Sequence, residues 1–303
     1  MNYIIENLAR EFRGRDDEIY TLTSLIGDPR DASPPSIFIY GPSATGKTAI
    51  IKRLINEYNR QFPCPSITAL DEHGCDQRLE GDTAGSWFAY VDCVECNTPR
   101  LVFERALNRW AGWQPSESNR YTSIAKCESS VDFVNRINQI AKCTPARASG
   151  VWEGDATRYL VLDHAERIRD LGPLFLSALA RLNELVSEAS ATADARGQCS
   201  ATYRGGGGSV CTIMISQVVW DKFRPRHGGA PDPLMVRFED YSKQVVLDIV
   251  AQDCPQDEPL EFFLTFVDAV YEVFHRNCVN LNELRHLVAL LYPRYVEPVY
   301  EGQ

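Results

Sequence analysis

Gly41-Pro42-Ser43-Ala44-Thr45-Gly46-Lys47-Thr48 stands between an apolar run, Ser36 to Tyr40, and a stretch in which Ile50, Ile51, Leu54, Ile55 and Tyr58 recur at helical spacing. A strand ahead and a helix behind are the context in which Gly-x-x-x-x-Gly-Lys-Thr becomes a phosphate-binding P-loop. Its glycines let successive backbone N–H groups turn inward on phosphate oxygens, and the helix N-terminus adds a favourable dipole. Lys47 is spaced for the β and γ phosphates of a nucleoside triphosphate, Thr48 for a bound Mg2+, and Ala49 carries the loop into the helix.

Four more apolar runs follow at long intervals: Trp87 to Asp92, Arg158 to Asp163, Cys211 to Ser216 and Gln244 to Val250. All read as buried strands. Helical spacing returns between them, as at Leu171, Leu174, Phe175, Leu179, Leu182 and Leu185. This alternation predicts an α/β fold with a parallel five-stranded sheet covered by helices on both faces. Two stretches, about 61–86 and 187–209, are rich in Gly, Ser, Ala, Pro and Asp, lack periodicity and read as surface insertions; the second holds Gly205 to Gly208. After Pro259 only helical patterns remain. Phe263, Phe266, Val267, Val270 and Phe274 share one face, and Asn280 with Glu283 caps a second helix carrying Leu284, Leu287, Val288 and Leu291. The expected division is an α/β nucleotide-binding domain over 1–252 and a small all-α domain over 253–303.

Lys and Arg number 31 against 41 Asp and Glu, a net charge of −10, so the surface as a whole repels a nucleic-acid backbone and any DNA contact must be local or shared. Ten cysteines are scattered through a chain large enough to need no staples and read as reduced thiols. No run of 18 apolar residues suggests a membrane span, and the opening Met-Asn-Tyr-Ile-Ile-Glu-Asn has no secretory pattern, leaving cytosol or nucleus.

P-loop proteins place a carboxylate at the end of a neighbouring strand to hold Mg2+ through water, and Asp163, closing Tyr159-Leu160-Val161-Leu162-Asp163, is the candidate. A helix N-cap at the strand-to-helix turn is the plain alternative, and the two roles are compatible.

Taken together, Phe12-Arg13-Gly14-Arg15-Asp16-Asp17-Glu18-Ile19, the P-loop, Val91-Asp92-Cys93-Val94-Glu95-Cys96 with Thr98 and Arg100, and LVLDHAERIRD at 160–170 resemble the AAA+ replication-initiator clade, and within it the family of the fifth subunit of the origin recognition complex. SQVVWDKFRP at 216–225 and LNELRHLVALLYPRYVEP at 281–298 extend the resemblance over most of the chain outside the insertions. It implies an AAA+ domain with a helical lid, ATP lodged between them and against a neighbouring subunit. It also implies a nuclear, ring-shaped complex of origin recognition subunits that binds origin DNA and supports helicase loading. Family members continue into a winged-helix domain after the lid, and the chain stops where that domain is expected, which weakens any direct DNA contact of its own.

The resemblance also assigns roles to single residues. Ser216, ending a strand, falls at the polar sensor facing the γ-phosphate, Arg285 at the second sensor on a lid helix, and Phe12 and Arg15 on the segment bordering adenine. Ser216 as an ordinary strand-end serine, Arg285 as a solvated arginine and Phe12 as core remain alternatives. An arginine offered to a neighbour's nucleotide is expected, with Arg169, Arg181 and Arg224 as candidates. AAA+ ATPases ordinarily carry Glu directly after the strand-end Asp to polarise the attacking water, whereas here His164 follows Asp163. Glu166, two positions on, is the substitute candidate base but points elsewhere if the strand has already turned into helix.

Cys93 and Cys96 have the spacing of half a zinc site with no second pair to complete it, and Trp110 and Trp113 read as sheet packing before base stacking. A P-loop small-molecule kinase would need an acceptor pocket and a basic lid, which the acidic 61–86 stretch does not resemble. The resulting expectation is an ATP-binding subunit that uses the nucleotide to stabilise assembly, with hydrolysis weak or absent. The competing expectation is an active AAA+ motor in which Glu166 or a partner residue completes the site.

Overall fold

The structure is a computed structural model that describes residues 2–28, 34–64, 85–117, 119–143, 156–195, 209–223, 230–256, 258–275 and 280–300. Two helices, α1 (Asn2–Glu11) and α2 (Asp16–Ile26), precede strand β1 (Ser36–Tyr40) and helix α3 (Lys47–Gln61). Then come β2 (Phe88–Asp92), a 3-10 turn at Cys93–Glu95, α4 (Pro99–Ala111), α5 (Ser130–Cys143) and β3 (Arg158–Asp163). A 3-10 segment, Ala165–Leu171, leads to α6 (Pro173–Ala180), α7 (Leu182–Ala195), β4 (Val210–Ser216), α8 (Trp220–Phe223) and β5 (Leu234–Arg237). The chain continues through α9 (Lys243–Val250), α10 (Leu260–Phe274) and α11 (Leu281–Tyr300).

The five strands pair in parallel in the order β2-β3-β4-β1-β5. Strand alternation splits their side chains between two cores. Phe38, Leu160, Leu162 and Met214 face one cluster, with α4, α5 and α6; Ile37, Ile39, Tyr159, Val161, Ile213 and Ile215 face the other, with α1, α2 and α3. Burial on both faces explains why β3 and β4 read as unbroken apolar runs. Trp110 is fully buried with its Nε1–H on the Tyr159 carbonyl at 3.2 Å, so it packs under the sheet as expected.

One of the expected strands is helical. Gln244–Val250 is not a strand but the body of α9, whose cap is Ser242 and whose buried residues, Val246 and Val250, lie one helical turn apart. A short apolar run fits either period, and here the cap decides. The fifth strand is Leu234–Arg237, a four-residue edge strand entered from Pro231-Asp232-Pro233, with Leu234 49% and Met235 48% exposed. Val246 and Val250 join Phe263, Phe266, Val267, Val270, Leu284, Val288, Tyr292 and Val296 in a third cluster, so α9 packs with the C-terminal helices rather than into the sheet. The helical pattern expected after β3 is present, divided at Gly172 and Arg181 into the 3-10 segment, α6 and α7. Helix α7 runs to Ala195, inside the stretch read as aperiodic from 187; residues 196–208, including the four glycines, and 65–84 lie outside the described residues.

Candidate nucleotide site

Between β1 and α3 the chain must reverse within a few residues, and it does so through positive φ at Gly41 (153°), Ala44 (59°) and Gly46 (89°). A side chain at Gly41 would put its Cβ 2.1 Å from the Phe238 carbonyl oxygen, so close approach to the chain leaving β5 requires glycine there. Helices α4 and α9 are closed by the Thr98 and Ser242 side chains, but α3 begins on Gly46 with no side-chain cap. Its first amides are thus left for an anion.

The loop forms one wall of a cavity of about 430 Å³ lined by residues 43–49, by Asp163, His164, Glu166 and Ser216 at the ends of β3 and β4, by Phe12 and Arg13, and by Tyr241, Gln252, Asn282 and Arg285 from the lid side. Gly41 and Pro42 do not line it. Their carbonyls instead accept from Lys47 Nζ at 2.9 and 2.5 Å, with Thr45 Oγ1 3.0 Å away. Burial lowers the Lys47 ammonium to a pKa of about 8, partly opposed by the nearby Asp163 carboxylate.

Asp163 is 2% exposed and fully engaged. Its Oδ1 accepts from Thr48 Oγ1 at 3.2 Å and from the His164 N–H at 2.9 Å, and its Oδ2 accepts from the Tyr90 hydroxyl at 2.5 Å. Burial, then the bond to Asp163, pushes the Tyr90 phenol well above its ordinary range. A hydroxyl and a buried carboxylate brought together beside a phosphate loop are the oxygen donors a hydrated Mg2+ takes, so the donor set fits that ion.

His164 adopts left-handed backbone, φ 51° and ψ 45°, and its Nδ1 lies 3.0 Å from Asp92 Oδ1 on the adjacent strand. This kink corrects the expectation for Glu166. Helix continuing directly from β3 would have turned Glu166 away, but the left-handed residue redirects the 3-10 segment and brings Glu166 to the cavity, where its Oε2 accepts from Ser216 Oγ at 2.9 Å.

Arg15 does not line the cavity. It is 2% exposed, donates to Glu18 and to the Glu239 carbonyl, both at 2.6 Å, and stacks 3.9 Å from the Tyr241 ring. Tyr241 in turn donates to the Thr45 carbonyl at 3.1 Å, so Arg15 supports the loop from behind, while its neighbour Arg13 faces the cavity. Between the two, Gly14 takes left-handed backbone at φ 72°, which their spacing does not announce. Arg285 lines the cavity and is forked onto Asp253, Nε to Oδ2 at 2.6 Å and Nη2 to Oδ1 at 2.5 Å, a pair that raises its pKa. Arg169 and Arg181 are exposed away from the cavity, and Arg224 lies outside the described residues. Cys93 and Cys96 are both buried, their thiol pKa values raised by that burial, and no cluster of three metal-ligating side chains occurs among the described residues. No helix among the described residues is long and apolar enough to cross a membrane.

Residues 11–190 match the AAA ATPase domain, and residues 263–303 match the ORC5 lid domain. The chain is 31% identical over 289 residues to origin recognition complex subunit 5 of Homo sapiens, covering 95% of this chain and 54% of that protein. It is 24% identical over 323 residues to the Drosophila melanogaster subunit 5, covering 100% of this chain and 58% of that protein. It thus spans little more than half the length of these relatives. Among solved structures, a chain in the Drosophila ORC bound to DNA superposes with a TM-score of 0.72 at 22% identity, covering 100% of this chain and 66% of that one. The Aeropyrum pernix ORC1 protein in complex with DNA gives a TM-score of 0.56 at 16% identity over 93% of this chain and 61% of that one.

Proposed function

Because the chain belongs to the AAA ATPase domain family and carries an ORC5-type lid, we propose that it is an ATP-binding subunit of the origin recognition complex. In this reading it holds ATP with Mg2+ to stabilise a nuclear ring of origin recognition subunits that contacts origin DNA and supports helicase loading. The carrying observation is the cavity itself, where Lys47, Thr48 and Asp163 of the α/β unit face Arg285 of the lid across one space. Lys47, now on the loop carbonyls, would hold the β and γ phosphates, and the uncapped α3 amides would donate to phosphate oxygens. Thr48 and Asp163 would hold Mg2+, which neutralises phosphate charge when bound. Arg285, which lines the cavity from the lid, would contact the bound nucleotide, and binding would then contribute to assembly by mass action.

Weak hydrolysis is the second part of the proposal. The residue after Asp163 is an imidazole whose Nδ1 is committed to Asp92, which removes the usual carboxylate from the water-activating position. One observation favours the competing ATPase reading: Glu166 sits in the cavity, bonded to Ser216. Nucleotide content and turnover of the purified chain decide between them. Retained ATP, its loss in Lys47→Ala, and no effect of Glu166→Gln on a negligible turnover are expected. Steady turnover that disappears in Glu166→Gln would overturn the structural-ligand reading.

A further inference from the structure

We propose that Tyr90 is a positioning residue of the nucleotide site, whose hydroxyl holds Asp163 in the orientation that Mg2+ binding with Thr48 requires. The inference rests on reading the cavity as a site for ATP with Mg2+.

Asp163 directs its two oxygens to different structures. Oδ1 meets the P-loop helix through the Thr48 hydroxyl and the chain's own turn through the His164 N–H, whereas Oδ2 meets β2 through Tyr90. Among these donors Thr48 is the one a cation takes over, since its hydroxyl oxygen is the expected metal ligand. The bond it now gives Asp163 cannot be relied on once the site is loaded. Tyr90 is free of that conflict, because it donates to the oxygen on the other side and comes from a strand that does not line the cavity.

The register explains why a tyrosine can do this. Tyr90 pairs with Val161, two residues short of Asp163, so a side chain leaning along the strand needs the length of a phenol to reach the carboxylate. The ring packs partly buried beside the core beneath α3, with Lys52 Nζ 4.8 Å from its centre. Phenylalanine would fill the same space and leave Oδ2 without its donor inside a residue that is 2% exposed. A buried carboxylate in that condition turns or recruits another partner.

The test is ATP binding by the full chain, measured calorimetrically with Mg2+ and again with EDTA, for wild type and Tyr90→Phe. The expected result is affinity about tenfold weaker with Mg2+ and within about twofold of wild type in EDTA, the loss corresponding to one hydrogen bond to a charged group. In an Asp163→Asn background, Tyr90→Phe should cost nothing further, because the two changes remove the same interaction. Equal losses with and without Mg2+, or an additive loss in Asp163→Asn, would show an ordinary packing role and overturn the inference, as would unchanged affinity in both conditions. Wild-type binding indifferent to Mg2+ would instead overturn the underlying reading of the site, and this inference with it. Tyr90→Phe conserves shape, and a melting curve taken on each variant separates a folding defect from a positioning one.

Discussion

The P-loop and the turn after β3 face the same cavity but are built in opposite ways. In the loop most polar contacts are made within eight consecutive residues: Lys47 on the carbonyls of Gly41 and Pro42, and Thr45 Oγ1 on Pro42 at 2.9 Å, with Tyr241 and Asp163 the outside partners. In the turn nearly every partner comes from elsewhere. Asp163 draws on α3 and β2, His164 on β2, and Glu166 on β4. A local loop can be altered with consequences confined to the ligand. A turn assembled from three neighbouring elements passes any change into the fold, because each lost partner leaves a group on another strand unsatisfied.

The largest effect that sharpens this contrast is expected from Lys47→Ala. Losing an ammonium from both phosphates should weaken ATP binding at least ~100-fold while the melting temperature of the unliganded protein changes little. A large fall in melting temperature would break the comparison by showing that the loop depends on Lys47 for its own fold.

A pH titration comes next. The free Lys47 loses its proton near pH 8 because burial disfavours the cation, whereas a bound triphosphate favours it. Binding is therefore accompanied by proton uptake above that pH. Affinity should be level below about 8 and fall above it, approaching a tenfold loss per pH unit. Lys47→Arg should flatten the curve, and a wild-type profile that stays flat well above about pH 8 would contradict the assignment.

The smallest effect belongs to the turn. His164→Ala removes the partly exposed pair with Asp92 and should lower the melting temperature by about 2–4 °C, whereas Asp92→Ala also removes the bond its carboxylate accepts from the Val94 N–H and should cost more, the double variant losing no more than Asp92→Ala alone. ATP affinity should stay within about threefold of wild type, a difference of well under 1 kcal/mol. Should His164→Ala weaken binding as strongly as Lys47→Ala, the turn would have to be counted as part of the ligand shell rather than as its support.

The same contrast explains which features were legible before folding. The P-loop could be read from its motif because its phosphate-facing residues are consecutive in sequence, although Phe238 and Tyr241, which hold it from outside, could not. The two C-terminal helices were legible because their buried faces repeat every three or four residues over long stretches. QVVLDIV is ambiguous because seven apolar-rich residues satisfy two periods, and LMVR carries no strand signal because an edge strand buries too little to show one. Arg15 and Arg13 are two positions apart in one short segment, yet one braces the loop through Tyr241 and the other faces the cavity.

By itself, then, the sequence determined the α/β class, the phosphate loop, the strand-end aspartate and the substitution of His164 for the usual glutamate, all of which depend on residues close together in the chain. Only the tertiary structure decided that Glu166 returns to the cavity, that Asp92 occupies the His164 imidazole, and that Tyr90 holds the far oxygen of Asp163. Those contacts depend on the parallel register of β2 on β3 and on one left-handed residue. Strand register is set by packing across the whole sheet, and no local pattern encodes it.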